Sequence, residues 1–342
     1  DDIISKRVLK TKLMRPPVHN YLARSRISNE LERNIVKPLS LITAGAGFGK
    51  SVAVSQWLEE TQRLHVWISV DQEHNDLRIF LSYLVAGIQM VVPGSMQVMA
   101  DAISGVELPP KKELAYVLLG ELCDIEDELI LVLDDFHKIQ SDTVNYILNE
   151  WLQFPPPNIH LSILTRRDPS LEINPLRLAR RMTEIRMKEL SFNAAEIDLL
   201  FKTVQQIDLG KDAIEMFHEK TEGWIIALSL AAMIMEKGED AEEVASKLEG
   251  SLSSISEYLI SEVLSKQSDN IQDALLASSI LNRLCADILY DINLGNRELT
   301  ATQFFQHLQE VNLFIIHLDE EKKWFRYHHL FQEFLQDELK KK

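Results

Sequence analysis

Three glycines within five residues, followed at once by a lysine and a serine, are the residues of this chain best suited to hold an anion. Gly45, Gly47 and Gly49 lie in Ala44-Gly-Ala-Gly-Phe-Gly-Lys-Ser51. Glycines let a backbone turn its N–H groups inward without Cβ clashes. A helix N-terminus behind them adds further N–H groups and the positive end of a dipole. Lys50 can then reach β- and γ-phosphates, and the Ser51 hydroxyl can hold a Mg2+ ion. This is a Walker A loop with Ala44 at its first glycine position, which mainly needs a small residue. Its candidate phosphate-binding residues are Gly45, Ala46, Gly47, Phe48, Gly49, Lys50, Ser51 and Val52.

A second group strengthens the first. Leu129-Ile-Leu-Val-Leu-Asp-Asp135 is an apolar run ending in two carboxylates. Apolar-continuous strands suit a parallel sheet covered on both faces. An acid at the C-terminal end of such a strand reaches the crevice where open α/β sheets bind ligands. Asp134 is therefore the candidate for the Mg2+ shell, and Asp135 for orienting and polarising an attacking water. The bland alternatives are a flexible Gly-rich turn and a solvated strand end. Finding both motifs in one chain weighs against each.

The elements that must position these groups alternate. Strands are predicted at Leu39–Ala44, His65–Val70, Leu129–Asp134, His160–Thr165 and Thr183–Met187. Helices are predicted at Ser51–Glu60, Leu77–Val91 and Asp142–Leu152. This order implies a parallel sheet with crossover helices. An earlier helix ends near Val36, with Ser28 or Asn29 as its cap and Glu32 near capping-box spacing. After residue 189 the spacing turns helical: Ala194–Val204, Lys211–Thr221 and Trp224–Glu236. Helical stretches follow near 253–266, 270–280, 284–293 and 301–310. The runs Leu313–Leu318 and Trp324–Tyr327 then form a β-hairpin across a charged turn, Asp319–Lys323, before a helix at His329–Leu339. The expected organisation is an arm at 1–38, a P-loop α/β domain at 39–188, an all-α domain at 189–250 and a winged-helix domain at 251–342.

Composition narrows the function. A formal charge of −16 over 342 residues argues against nucleic-acid binding by this segment, whose footprint would be basic. Six arginines between Arg166 and Arg186 are a local exception, and Glu236 to Glu249 is acidic. The longest apolar run, Trp224 to Met235, has the length of a buried core helix. The N-terminal Asp1-Asp-Ile-Ile-Ser-Lys-Arg lacks the layout of a secretory signal. Cys123 and Cys285 have no metal-type spacing, so reduced thiols in a cytoplasmic protein are expected.

Together the motifs resemble the STAND class of P-loop NTPases, and within it the MalT-type, LuxR-family ATP-dependent transcription activators. Besides the two motifs above, the resemblance rests on Val66-Trp-Ile-Ser-Val-Asp71 with Asn75, Asp76 and Phe80, on Thr165-Arg166, on Gly223-Trp224 and on Tyr327-His-His-Leu-Phe331. It runs essentially end to end. It implies ADP or ATP with Mg2+ between three domains, and Leu22 and Arg24 as the segment contacting the base. It also implies Arg166 as the sensor arginine on the γ-phosphate. His328 aligns with the histidine of a Met-His-Asp motif that touches the β-phosphate of ADP, with Tyr327 and His329 replacing its neighbours. Trp224 stands where relatives have a Gly-x-Pro near the adenine, and core packing is its equal alternative. The resemblance further implies a superhelical sensor for an inducer and a DNA-binding helix-turn-helix outside these 342 residues, with self-association in the ATP state.

The implied function is a regulatory switch: locked with ADP, active with ATP, and reset by slow hydrolysis through Lys50, Asp135 and Arg166. Two alternatives differ in class. An AAA+-like motor or loader would need an arginine finger and a sensor-2 arginine. A nucleotide-gated interaction scaffold would not hydrolyse at all.

Overall fold

The computed structural model describes residues 8–18, 21–235, 241–242, 244, 259, 263–291, 300–311, 313–318 and 323–341. It divides into two compact units. The first comprises the described residues of Asp1–His19, Ala23–Thr43 and Lys50–Glu189. The second comprises those of Asn20–Leu22, Ala44–Gly49 and Leu190–Lys342.

The first unit is built on five strands, β1 (Leu39–Thr43), β2 (His65–Ser69), β3 (Leu129–Asp134), β4 (Ile159–Thr165) and β5 (Met182–Ile185). All neighbours pair in parallel, in the order β2-β3-β4-β1-β5. Every residue of β1, β3 and β4 is buried, as in a parallel sheet covered on both faces; β3 is apolar up to Asp134, whereas β1 and β4 also bury Ser40, His160 and Ser162. Thr43 is in register with Thr165, and Leu133 with Ile163. The C-terminal ends of β1, β3 and β4 therefore lie at one edge of the sheet. Lys50 and Ser51 follow β1, Asp134 ends β3, and Arg166 follows β4.

Two expectations shift here. The first helix is Ser25–Arg33, capped at Arg24 without a side-chain bond. Ser28 and Asn29 are thus inside it and are not caps. Glu32 instead accepts from Trp57 Nε1 at 2.9 Å and from Arg63. At the last strand, β5 stops at Ile185 rather than Met187. Arg186 is drawn into ion pairs with Asp168 and Glu184, and Met187 opens a short helix, Met187–Leu190.

In the second unit Asn193 and Glu196 form a capping box at the start of helix Ala194–Thr203. Helices Lys211–Thr221, Ile225–Met235, Asp269–Ser278, Ala286–Asp291 and Ala301–Val311 follow. Strands β6 (Ile315–His317) and β7 (Phe325–Tyr327) pair antiparallel before helix His329–Lys341. Strand β6 is shorter than the apolar run because Phe314 has φ 50°, which no strand accommodates. Aromatic rings fill the core of this part, where Tyr327 and Ser278 share a buried hydroxyl–hydroxyl bond of 2.8 Å. Most of the 253–266 stretch, most of the acidic 236–249 stretch and the 250/251 boundary lie outside the described residues; Leu264–Lys266 is a 3-10 turn. Among the described residues no helix is long and apolar enough to cross a membrane.

Candidate functional site

In the first unit, helix Lys50–Thr61 starts at the lysine of the glycine-rich motif. Ser51 Oγ donates to Asp134 Oδ1 at 2.9 Å, and the Asp135 N–H donates to the same oxygen at 2.9 Å. Hydroxyl and carboxylate, 83 residues apart in sequence, thus meet at the edge of the sheet. Arg166 is close enough for its charge to act on Lys50, Asp135 and His137. It forms no ion pair among the described residues.

Burial dominates the electrostatics. Together with the Arg166 charge, it pulls the Lys50 ammonium down to about 8, against Asp134 and Asp135. Burial and then the Asp135 charge push the Asp134 carboxyl up to about 6, against its two hydrogen bonds. Burial acts upward on Asp135 too, but the bond from Lys138 Nζ, at 2.8 Å, and the charges of Lys138, His137 and Arg166 outweigh it and leave it lowered. His137 is pulled down to about 4 by burial. Asp135 is a weak base in these surroundings, better suited to orienting a water than to deprotonating one.

The residues fit a magnesium ion. Asp134 is 8% exposed and has no ion-pair partner among the described residues. A buried carboxylate beside a hydroxyl offers hard oxygen donors, and Mg2+ usually takes only one or two from the protein. Among the described residues no cluster of three or more His, Cys, Asp or Glu could hold another metal.

The glycine segment Ala44–Gly49 belongs to the second unit. Gly47 and Gly49 have φ 74° and 75°, the left-handed region that a side chain resists. Between them Phe48 is buried, with its ring 6.2 Å from that of Phe314. Phe314 in turn lies 5.1 Å from Trp224 and 6.4 Å from His328, and Trp224 lies 6.0 Å from His328. His328 is 1% exposed; its Nε2 donates to Thr221 O at 2.9 Å and its N–H to Phe314 O at 2.6 Å. Leu22 is buried in the second unit, whereas Arg24, also buried, belongs to the first. Gly45 is buried, while Ala46 and Val52 are half-buried.

Residues 260–342 match the family described as the MalT winged helix domain. Over 331 residues, 96% of this chain and 36% of the relative, the chain is 30% identical to the HTH-type transcriptional regulator MalT of Yersinia pestis. It matches the MalT of Yersinia enterocolitica at the same identity over 332 residues. Over nearly its whole length the chain is similar to the MalT regulators. It spans about a third of the length of those it matches. Its fold is that of P-loop ATPases. A Walker-type ATPase of Pyrococcus abyssi superposes with a TM-score of 0.61 at 15% identity, over 94% of this chain and 98% of that one. A STAND protein of Pyrococcus horikoshii with a tetratricopeptide repeat sensor superposes with a TM-score of 0.51 at 17% identity, over 95% of this chain and 43% of that one.

Two features of the chain escape motif reading. Phe314 looks like a strand residue, yet it leaves the strand and touches Phe48, Trp224 and His328; no local pattern announces a positive φ at a phenylalanine. Arg326 pairs both of its terminal nitrogens with the Glu222 carboxylate, at 2.8 and 2.9 Å. These residues are 104 apart, so no spacing rule could join them.

Proposed function

We propose that this chain is the nucleotide-responsive part of a MalT-like transcription regulator, binding ADP or ATP with Mg2+ as a switch. The reading is carried by the Ser51–Asp134 pair beside Lys50 at the sheet edge, since that constellation has no structural purpose that apolar residues would not serve better. Gly45, Ala46, Gly47, Phe48, Gly49 and Val52 would wrap the phosphates with backbone N–H groups, and Lys50 would neutralise them. Ser51 and Asp134 would hold the Mg2+, which supplies charge neutralisation at the phosphates. Leu22 and Arg24 would contact the base, with Trp224 beside it.

Discrimination between the two nucleotides would fall to two residues. Arg166 suits a γ-phosphate because a guanidinium fork matches its oxygens. His328 would close on the β-phosphate of ADP and retain it. A ligand shifts a conformational balance only through its different affinities for the states, so ATP would favour the state in which His328 is released. Asp135 would orient the water whose slow attack restores the ADP form. The ATP state would expose surfaces for self-association, with an inducer and DNA bound elsewhere in a cytoplasmic regulator. That the similar Yersinia proteins are transcriptional regulators supports the transcriptional part of this reading.

Calorimetry tests it. Lys50→Ala should abolish nucleotide retention, and His328→Ala should weaken ADP relative to ATP. An unchanged ADP/ATP affinity ratio in the histidine variant would remove the lock. Steady-state hydrolysis far above roughly one per minute would favour a motor instead.

A further inference from the structure

We propose that Asn75, in the segment after β2, is a positioning residue for Asp135: it braces the turn after β3 from which that carboxylate projects. This rests on the reading above that Asp135 orients the attacking water. Every residue involved belongs to the first unit. The proposal is carried by a carboxamide spent on backbone bonds. Asn75 Nδ2 donates to the carbonyls of Lys138 and Gln72, each at 3.0 Å, and its Oδ1 accepts from the Gln140 N–H at 2.6 Å. The Lys138 and Gln140 bonds span 63 and 65 residues of sequence, to the segment just beyond Asp135. A carboxamide offers donor and acceptor side by side, so one side chain can hold a C=O and an N–H two residues apart.

The turn it braces needs holding. Asp135 has φ 59°, uncommon for a residue with a side chain. The chain then enters a 3-10 turn, Phe136–Lys138. Just before Asp135, the Val70 N–H donates to the Asp134 carbonyl at 2.9 Å. Just after it, Asn75 holds Lys138 and Gln140. Both ties come from the chain leaving β2, so Asp135 sits between two anchors on one neighbour. Lys138 is also the residue whose ammonium donates to Asp135 Oδ2 at 2.8 Å. Fixing its backbone fixes where that bond starts.

The segment around Asn75 does not need its side chain for its own closure. The turn Gln72–Asn75 is already closed by a capping box between Asp71 and His74. Helix Leu77–Val91 is capped by Asp76, whose Oδ1 accepts from the Ile79 N–H at 3.0 Å. Lys50, Ser51 and Asp134 make no bond to Asn75, so its loss should fall on the rate of hydrolysis and not on the binding of nucleotide.

The test compares single-turnover hydrolysis of preloaded Mg-ATP with Mg-ATP affinity from calorimetry. The variants are Asn75→Ala, Asn75→Asp, Asp135→Asn and the double Asn75→Ala/Asp135→Asn. Alanine removes the bonds without adding charge. Aspartate keeps the shape and the acceptor but loses both donations. Each Asn75 variant should slow hydrolysis about tenfold, as displacement of a positioned group does. Affinity should stay within about threefold of wild type. The double variant should be no slower than Asp135→Asn alone, because a residue acting through Asp135 then has nothing left to position. Simple support of the fold would slow both backgrounds alike.

The brace would be overturned, with the role of Asp135 left standing, by a wild-type rate in Asn75→Ala, by an affinity loss as large as the rate loss, or by independent losses in the double variant. Unchanged hydrolysis in Asp135→Asn would overturn both.

Discussion

Replacing His160 by glutamine should remove a pH dependence of stability that the packing of the first unit dictates. His160 lies on β4 and is 5% exposed. Its Nδ1 donates to the carbonyls of Lys37, at 2.6 Å, and Ile35, at 3.0 Å, and its Nε2 accepts from Ser40 Oγ at 3.1 Å. Burial, rather than these bonds, favours the neutral ring. Burial pulls its pKa down to about 4, although the two carbonyls resist, whereas in the unfolded chain it lies near 6.5. Between those values the unfolded chain binds more protons, so stability rises with pH across the window. The contribution is whole above about pH 6.5 and is lost as pH falls toward 4. At about 1.4 kcal/mol per pH unit, roughly 2 kcal/mol is gone by pH 5 and roughly 3 by pH 4.

The wild type alone is not diagnostic, because His74 and His137 are also lowered and act with the same sign. Asp71, held down at about 2, enters only at lower pH. Guanidinium unfolding of wild type and His160→Gln at pH 7.5 and pH 5 isolates the residue. Tryptophan emission suits the assay because Trp57 lies edge-on to His160 at 6.3 Å. The stability gap should narrow by about 2 kcal/mol at pH 5. A gap equal at both pH values would refute the reasoning, since the ring would then titrate alike in both states.

Further outcomes follow from the same geometry. Asp135→Asn should slow decay of a preloaded ATP state by at least about tenfold in single-turnover measurements, and an unchanged lifetime would leave a scaffold that never hydrolyses. Gly223→Ala should lower the melting temperature sharply. Gly223 has φ 72°, and an added Cβ would meet Phe192 O at 2.3 Å and Phe192 N at 2.5 Å. The strain and the forced backbone shift together cost roughly 2–5 kcal/mol.

Much of the first unit was legible because its strands are short, mostly apolar runs that alternate with helical spacing, β3 being apolar up to Asp134. Leu129–Asp134 and Leu77–Val91 have the predicted limits. Ends were missed where a side chain found a distant partner: Glu32 serves Trp57 and Arg63 rather than a helix cap, and Arg186 leaves the sheet for Asp168. Strand order is not a local property either. That β4 separates β1 from β3, bringing Arg166 near Lys50, depends on crossover connections that spacing does not encode. The roles of Ser51 and Asp134 could be assigned from motif chemistry, and their 2.9 Å bond joins the two motifs.

Trp224 shows how two readings of one residue can merge. Core packing and nucleotide contact look like alternatives in the sequence, because no proline follows the glycine. In the second unit the indole is 1% exposed and lies edge-on to both Phe314 and His328, so packing is established. Yet the residues it packs against are Phe314, which reaches Phe48 of the glycine loop, and the histidine read as the diphosphate contact. A side chain whose burial fixes the orientation of His328 need not touch a ligand to govern it. Ring position is then set by hydrophobic contact and ring tautomer by the Thr221 carbonyl.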